Sequence, residues 1–510
     1  MGNRRVLLVN FYNPKPLGFR FLETALADCG FEVTILYFKG FHSARPQRPT
    51  PSEIAHLLDL LDKTDPLFIG FSVMTSLYLE VVEEVSRQVR AHAKAPLVWG
   101  GVYATLFPER CLENDHCDYV IRGEGEGAIA EFASLLSDGC DTKGVLNLAY
   151  REREGGKAVV NPVRPLVTDL DTLRMAGIGL DNKYFIDDGA ISRGDPMLGS
   201  YSYETACSRG CPFVCSYCST VSIKRIYRDN RHFLRFRSVA SVIDELKEAK
   251  RRMKSLSLIH FWDEIFPGDS AWIDEFAARY AAEIGLPFEI WAHPLKTDAA
   301  LLQKLRAAGL FQVVMGIQSG SPQVRKEAFH RTESQDQILA AASALADARV
   351  PRVVYDFILR HPFETTQQLR ETYELCDMLP GRFTLQLHDL GFLPGTDIAA
   401  EAIKRKIYTP GELDALMYAP IERQYAAWWE SDCDDEEKNF WYHLTYVTQF
   451  PSLKRKARRL AAAPGAVSAR RKAGKYYIRG KRRDKYRRYR QKLMAIASGK
   501  MKKIKKIKKI

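Results

Sequence analysis

Twice along this chain, short apolar runs alternate with amphipathic stretches of helical period. Strands that read as unbroken apolar runs must be covered on both faces, and a parallel sheet flanked by helices provides that cover. In the first series the predicted strands are residues 5–10, 32–37, 67–72, 96–99 and 119–122, separated by helices at 19–29, 53–61, 79–92 and 127–136. This predicts a doubly wound, Rossmann-like sheet for residues 1–150. Residues 151–200, rich in Asp, Gly and Pro and with little periodicity, read as a connector. The second series begins near Tyr201, with strands at 255–261, 288–292, 312–316, 352–358 and 384–387 and helices such as 239–254 and 298–308. That repeated βα unit over residues 201–400 predicts a partial (β/α)6 barrel, with its reactive face at the C-terminal ends of the strands. Residues 401–450 read as a helical, aromatic-rich appendage, and 451–510 as a basic tail. The fold class is therefore α/β.

Net charge says little about the site. The chain's +13 divides into 25 Lys+Arg and one acid, Asp484, in residues 451–510 (+24), against 50 basic and 61 acidic residues before them (−11). The basic partner surface belongs to the tail, including Lys481 to Arg490 and the Ile-Lys-Lys repeats ending at Ile510. A surface of that kind meets an anionic membrane or RNA, or simply stays solvated and disordered. Arg4 and Arg5 precede an apolar run too short for a signal segment, and no stretch approaches the roughly 18 apolar residues of a membrane span. The expected location is cytoplasmic, with the tail as a candidate for peripheral membrane association.

Four of the ten cysteines fall between Cys207 and Cys218. Cys211, Cys215 and Cys218 have the spacing C-x3-C-x2-C on a loop after a strand. Three close thiolates can wrap an iron–sulfur cluster, normally held by four ligands, and would leave one iron open to an external molecule. The competing reading is a structural zinc held by all four cysteines, although zinc sites usually use two separated pairs.

The segment Ser208-Arg-Gly-Cys-Pro-Phe-Val-Cys-Ser-Tyr-Cys218 resembles the radical S-adenosylmethionine (SAM) family, and in particular its members with a cobalamin (B12)-binding N-terminal domain. The resemblance implies that Cys211, Cys215 and Cys218 hold a 4Fe–4S cluster and that SAM binds its open iron, with Tyr217 beside the adenine. It also implies SAM contacts from Asp263 and Glu264 at the end of a barrel strand. Gly316-Ile-Gln-Ser-Gly-Ser321 is similar to the family's Gly-Ile-Glu-Ser-Gly-Ser segment, which makes Gln318 and Ser319 candidates near the SAM ribose; Gln318 replaces the usual glutamate. Arg360 and His361 stand where a glycine-containing turn is common. With Trp291 and His293, which are two positions apart and share a strand face, they are candidate substrate contacts. The residues 401–450, with Tyr425, Trp428, Trp429, Trp441 and Tyr442, are candidates to cap an apolar small-molecule substrate.

In the N-terminal series Ser72 and Thr75, Gly100 and Gly101, and Gly123 and Glu124 each follow a strand. Glycines there let a ligand approach the sheet edge closely. In this order before the cysteine motif they resemble a cobalamin-binding domain. The Asp-x-His-x-x-Gly pattern that places a histidine on cobalt is missing; residues 10–18 contain no histidine.

The resemblance implies a cobalamin-dependent radical SAM enzyme whose commonest activity is C-methylation of an unactivated carbon. A 5′-deoxyadenosyl radical would abstract the hydrogen and methylcobalamin would supply the methyl. An external electron donor such as flavodoxin or ferredoxin is implied as partner. The alternatives are a radical SAM cyclase or oxidative enzyme, an RNA-modifying enzyme, and a zinc-stabilised nucleic-acid-binding protein.

Overall fold

The computed structural model describes residues 2–41, 46–152, 156–229, 231–429, 433–464 and 467–497. Its N-terminal sheet contains β1 (Arg5–Phe11), β2 (Glu32–Phe38), β3 (Phe68–Ser72), β4 (Leu97–Gly100), β5 (Tyr119–Ile121), β6 (Leu148–Arg151), β7 (Ala158–Val160), β8 (Lys183–Asp187) and β9 (Ala190–Arg193). The spatial order is β7-β6-β5-β4-β3-β1-β2-β8-β9. β1 is central, parallel to both β2 and β3. Its residues Val6 to Val9 are almost completely buried, which accounts for their unbroken apolar run. The direction of strand order reverses on either side of β1, so ligands are expected beyond the C-terminal ends there.

The connector expectation for 151–200 needs correction. β8 adds to β2 in parallel, β9 turns back on β8, and β6 with β7 finishes the other edge antiparallel. β8 and β9 are about half polar, and β6 and β7 are only four and three residues long with β7 half-buried throughout, so these strands lack the long apolar signal of the inner ones.

The second sheet contains β10 (Ser202–Thr205), β13 (Leu258–Phe261), β14 (Phe288–Ala292), β15 (Leu310–Gln318), β16 (Arg352–Ile358) and β17 (Thr384–His388), in that order and all parallel. Between β10 and β13 lies a two-stranded ribbon of β11 (Ser208–Arg209) and β12 (Arg235–Phe236). Alternation sorts the faces. Ile259, Phe261, Ile290, Val313, Met315, Val353, Tyr355 and Leu385 enter the core beneath the helices. His260, Glu289, Trp291, Val314, Asp356 and His388 therefore face the hollow of the partial barrel. Each fully buried outer side chain contributes roughly 1.5–3 kcal/mol, and the polar inner row is held in place by that layer.

The two domains are tied by buried or half-buried charges. Lys15 Nζ reaches Ser202 Oγ (2.8 Å) and Glu204 (3.0 Å). Arg209 pairs with Glu126 (2.5 Å) and Arg235 with Glu124 (2.8 Å). Among the described residues no helix is long and apolar enough to cross a membrane.

The basic segment also differs from the disordered run expected. Helices Pro451–Ala461 and Val467–Ala497 follow the helix Glu436–Val447. Leu453, Ala457, Ala469 and Ala473 are buried in the barrel's core cluster. His443 stacks on Tyr477 at 4.4 Å, and the Lys481 ammonium lies 5.4 Å from the Tyr446 ring. Ala469, Ala473 and Gly480 let the helix approach closely, while Arg471, Lys472, Lys475 and Arg479 are exposed. Residues 498–510 lie outside the described residues. Truncation after residue 450 should therefore expose apolar surface and lower the melting temperature by several degrees, a shift that differential scanning calorimetry would detect.

Candidate active site

Three features set the cysteine loop. Gly210, between β11 and Cys211, has φ +92°; a Cβ there would stand 2.2 Å from the Phe233 carbonyl oxygen, so only glycine fits. Ser216 anchors the middle: its N–H donates to Phe329 O (3.2 Å), its hydroxyl to Ala328 O, and its carbonyl accepts from Ile398 N–H (2.9 Å). The helix Ser219–Arg225 then starts directly after Cys218. Cys211, Cys215 and Cys218 are half-buried free thiols, whereas Cys207 is completely buried. Burial pushes the Cys211 thiol up to about 12 and raises Cys218 too, with the Glu264 carboxylate adding to both. Such thiols become thiolates when a positively charged centre is supplied, as metal binding does.

Among the described residues no three His, Cys, Asp or Glu side chains converge as a mononuclear metal site would require. A four-iron cluster takes each thiolate on a different iron, so its ligands stand apart. The donor set of three half-exposed thiols on one loop fits such a cluster.

Asp263 and Glu264 have different roles. Asp263 is buried; its Oδ1 accepts the Cys207 N–H (2.9 Å) and the Ser208 hydroxyl. Burial raises the carboxyl to about 7 against those hydrogen bonds. It ties the end of β13 to the root of the cysteine loop. Glu264 instead opens into a cavity, and enclosure by the surrounding protein raises its carboxyl.

That cavity, of ≈ 420 Å³, lies between the C-terminal ends of β1, β3, β4 and β5 and the barrel, within the range of cofactor pockets. Ser72, Gly100, Gly101, Gly123 and Glu124 line it from one side and Ser208, Arg209, Gly210, Trp262 and Glu264 from the other. Thr75 does not line it; its hydroxyl caps the turn Ser76–Tyr78 by accepting Leu77 N–H (3.3 Å). Gly101 has φ +101°, and a Cβ would meet Val73 O at 2.8 Å. Met74, half exposed into the cavity, sits beside it. The cavity lining includes no histidine. Glu124 is an inter-domain anchor: burial would raise its carboxyl, but Arg235 and Arg209 overcome this and hold it below the usual range. Gly100 is a close-approach position with space, the nearest atom to a Cβ being Ile121 O at 3.5 Å. Gly100→Leu should therefore fold normally but fill the cavity. The cobalt retained after reconstitution should fall about tenfold or more, a loss of about 1.4 kcal/mol or more, with an unchanged melt.

On the barrel side, Gln318 has φ +70° at a register shift between β15 and β16. Its buried amide oxygen has no partner among the described residues, so an acceptor is left for a ligand hydroxyl or amine. Ser319 points into the fold: its Oγ accepts Ser321 N–H (3.1 Å) and its carbonyl accepts Arg325 Nη1 (2.8 Å). Tyr217 packs edge-on against Phe329 (5.2 Å), with its hydroxyl accepting from Arg331 at 3.2 Å. His293 stacks on Phe213 of the cysteine loop at 3.8 Å. Its Nδ1 accepts Leu295 N–H (3.2 Å), and burial lowers the imidazole to about 3, so it is neutral. Trp291 lies 5.7 Å from Trp262 on the inner face.

Arg360 takes φ +55° in the turn after β16 and lies 3.9 Å from the Tyr442 ring. It also reaches Asp389 (3.4 Å) and Asn439 Oδ1 (3.4 Å). It therefore fastens the C-terminal helices to the barrel's mouth. His361 is buried 5.0 Å from Phe329, and burial lowers it to about 3. Neither of its nitrogens has a partner among the described residues. The capping expectation for 401–450 is corrected in part. Trp441 and Tyr442 belong to the barrel core and Tyr425 to the N-terminal core; the side chains of Trp428 and Trp429 lie outside the described residues. Glu364 next to this turn accepts the Arg360 N–H (2.9 Å) and is raised to about 8 by burial. Its folded value exceeds its unfolded one, so it stabilises at low pH and loses that contribution between about pH 4.5 and 8. Glu364→Gln should flatten this decline, so that melting curves of variant and parent diverge progressively from pH 5 to pH 8, the variant melting higher.

Sequence reasoning missed Arg331, Ser216 and Phe213. Ser216 and Phe213 stand inside the cysteine motif, but their partners Phe329 and His293 are distant in the chain, as Cys215 is from Arg331, 116 residues away.

A cofactor-type parallel sheet whose strand ends face a partial barrel carrying a three-thiol loop defines a class of two-cofactor proteins. Two family models agree with it: residues 5–133 match the B12 binding domain and residues 205–376 the radical SAM superfamily. The chain belongs to the radical SAM proteins that carry a B12-binding domain. It is similar to cytidylyl-2-hydroxyethylphosphonate methyltransferase of Streptomyces wedmorensis, 26% identical over 61% of this chain and 62% of that protein. An uncharacterized methyltransferase of Pyrococcus horikoshii is 27% identical over 65% and 67%. The anaerobic magnesium-protoporphyrin IX monomethyl ester cyclase of Rubrivivax gelatinosus is 25% identical over 61% and 54%. The matches thus span about half to two thirds of these relatives. In fold, the chain resembles the radical SAM methyltransferase TsrM of Kitasatospora setae (TM-score 0.63, 19% identity, 79% and 76% covered). It also resembles the cobalamin-dependent enzyme OxsB (TM-score 0.62, 15% identity, 92% and 70% covered).

Proposed function

We propose that this chain is a cobalamin-dependent radical SAM C-methyltransferase acting on a small molecule. The observation that carries the reading is the shared cavity. Glycines at the sheet edge and Trp262 with Glu264 at the barrel edge line one space, which the base of the cysteine loop also borders. Together the bound groups would supply reductive cleavage of SAM and transfer of a methyl group. The chain's own part is to hold its ligands in contact and exclude water. Cys211, Cys215 and Cys218 would hold the cluster. Glu264 offers a carboxyl for an ammonium and Gln318 a buried acceptor for a hydroxyl or amine of SAM. Ser72, Gly100 and Gly101 would leave room for the corrin. Trp262 and Trp291 present aromatic surface beside the pairs His260–Glu289 (2.8 Å) and Asp356–His388 (3.0 Å) on the inner face. That combination suits a substrate with an apolar portion and polar substituents. Electrons would come from an external flavodoxin- or ferredoxin-type donor.

Methyl transfer is favoured by the likeness to the phosphonate methyltransferase of Streptomyces wedmorensis. The cyclase relatives favour a second reading, radical chemistry without methyl transfer. Reconstituted protein would be incubated with source-cell extract and methyl-labelled SAM, and products identified by mass spectrometry. A labelled product formed together with 5′-deoxyadenosine supports C-methylation. Deoxyadenosine without labelled product would replace it with the second reading.

A further inference from the structure

We propose that Arg331 is a positioning residue for the cluster loop, orienting Cys215 and raising the reduction potential of the iron–sulfur group; this rests on the cluster assignment above. The Arg331 side chain is almost wholly buried, and each of its nitrogens is directed. Nε donates to Glu333 Oε1 (2.6 Å), Nη2 to the Gly316 carbonyl (2.7 Å), and Nη1 faces Tyr217 Oη (3.2 Å) and Cys215 Sγ (4.0 Å). Its backbone is fixed as well, with Arg331 N–H donating to Arg325 O (2.8 Å). A guanidinium held on three sides cannot swing away from the loop, which suits the rigid fork of arginine better than a lysine. The other two thiols of the motif meet the Phe213 N–H and Thr220, with the Glu264 carboxylate as the charge nearby and no cation among the described residues. The motif therefore carries its cation at Cys215.

Reduction adds one electron to the cluster from an external one-electron donor, with no bond formed or broken. A buried positive charge beside one thiolate stabilises the added negative charge, and the low local dielectric strengthens the effect. Glu333 opposes it. This carboxylate holds Arg331 by Oε1, while its Oε2 lies 3.6 Å from neutral His293. Neutralising Glu333 should thus act oppositely to neutralising Arg331.

The test uses the full chain reconstituted anaerobically, poised with dithionite and mediators and read by electron paramagnetic resonance, with iron and sulfide measured in each sample. At a fixed potential near the parent's midpoint, Arg331→Met should lower the ratio of reduced to oxidised cluster about tenfold, equivalent to about 59 mV. Arg331→Lys should remain near the parent, and Glu333→Gln should raise the ratio. Equal midpoints in parent, Arg331→Met and Glu333→Gln at equal iron content would overturn the proposal, as would shifts of both variants in one direction. Should Arg331→Met fail to retain iron, the sign of the Glu333→Gln shift decides alone. A parent chain that takes up no four-iron cluster would instead overturn the cluster assignment itself.

Discussion

Cys215→Ala should lose iron and sulfide to background and with them all reductive cleavage of SAM, while Cys207→Ala should keep both. The contrast follows from placement. Cys215 is half-buried on the loop beside Arg331, so an alanine costs the fold little. Cys207 is completely buried in the barrel core with its N–H on Asp263. Its loss leaves a small cavity, with a cost of about 1–2 kcal/mol in stability, and leaves the three ligands in place. A zinc site built from all four cysteines makes another prediction, in which both variants lose their metal. Iron and zinc analysis of the two purified proteins, beside their thermal melts, separates these outcomes.

The second large effect is expected at Gly210. Alanine there would combine a strained φ of +92° with a Cβ 2.2 Å from the Phe233 carbonyl. The nearest atoms are Phe233 backbone rather than a flexible side-chain tip, so the segment leading into β12 must shift. The cost should be about 3 kcal/mol, concentrated where the ribbon sets the entry of the cysteine loop. Gly210→Ala should therefore lower cluster occupancy as well as the melting temperature. Gly139→Ala serves as a control: its φ of +70° imposes strain without any atom within 4 Å of the added Cβ. It should cost less, and leave iron content unchanged. Hydrogen exchange at residues 208–209 and 235–236 would localise the damage.

The inner strands were legible because burial on both faces leaves an unmistakable apolar run, and β1, β2, β3 and β4 lie where that run predicts. β6 to β9 were not, since β6 and β7 are too short to show a run and β8 and β9 mix polar with apolar residues. The tail misled for the opposite reason. Its cations dominate the composition, yet docking needs only a line of small and aromatic residues such as Ala469, Ala473 and Tyr477. At the site, the spacing of Cys211, Cys215 and Cys218 carried local information, and the glycines at strand ends marked the cavity. The division of labour between Asp263 and Glu264 could not be read from adjacent letters. It depends on the β13 strand end presenting one carboxyl to the Cys207 backbone and the other to the cavity. Arg331 was illegible for the reason that makes it informative: three of its partners, Tyr217 and Cys215 of the cysteine loop and Gly316 of β15, come from other elements, and only the fold assembles them.

On the proposed reading, one chain brings a three-cysteine cluster loop and a cobalamin cavity to the same space. The most direct measurement is the metal content of anaerobically reconstituted protein, read with its absorption spectrum. About four irons and about one cobalt per chain are expected. Iron should be lost in Cys215→Ala and cobalt in Gly100→Leu, each without loss of the other. Zinc in place of iron, or iron with no cobalt retained under any condition, would contradict it.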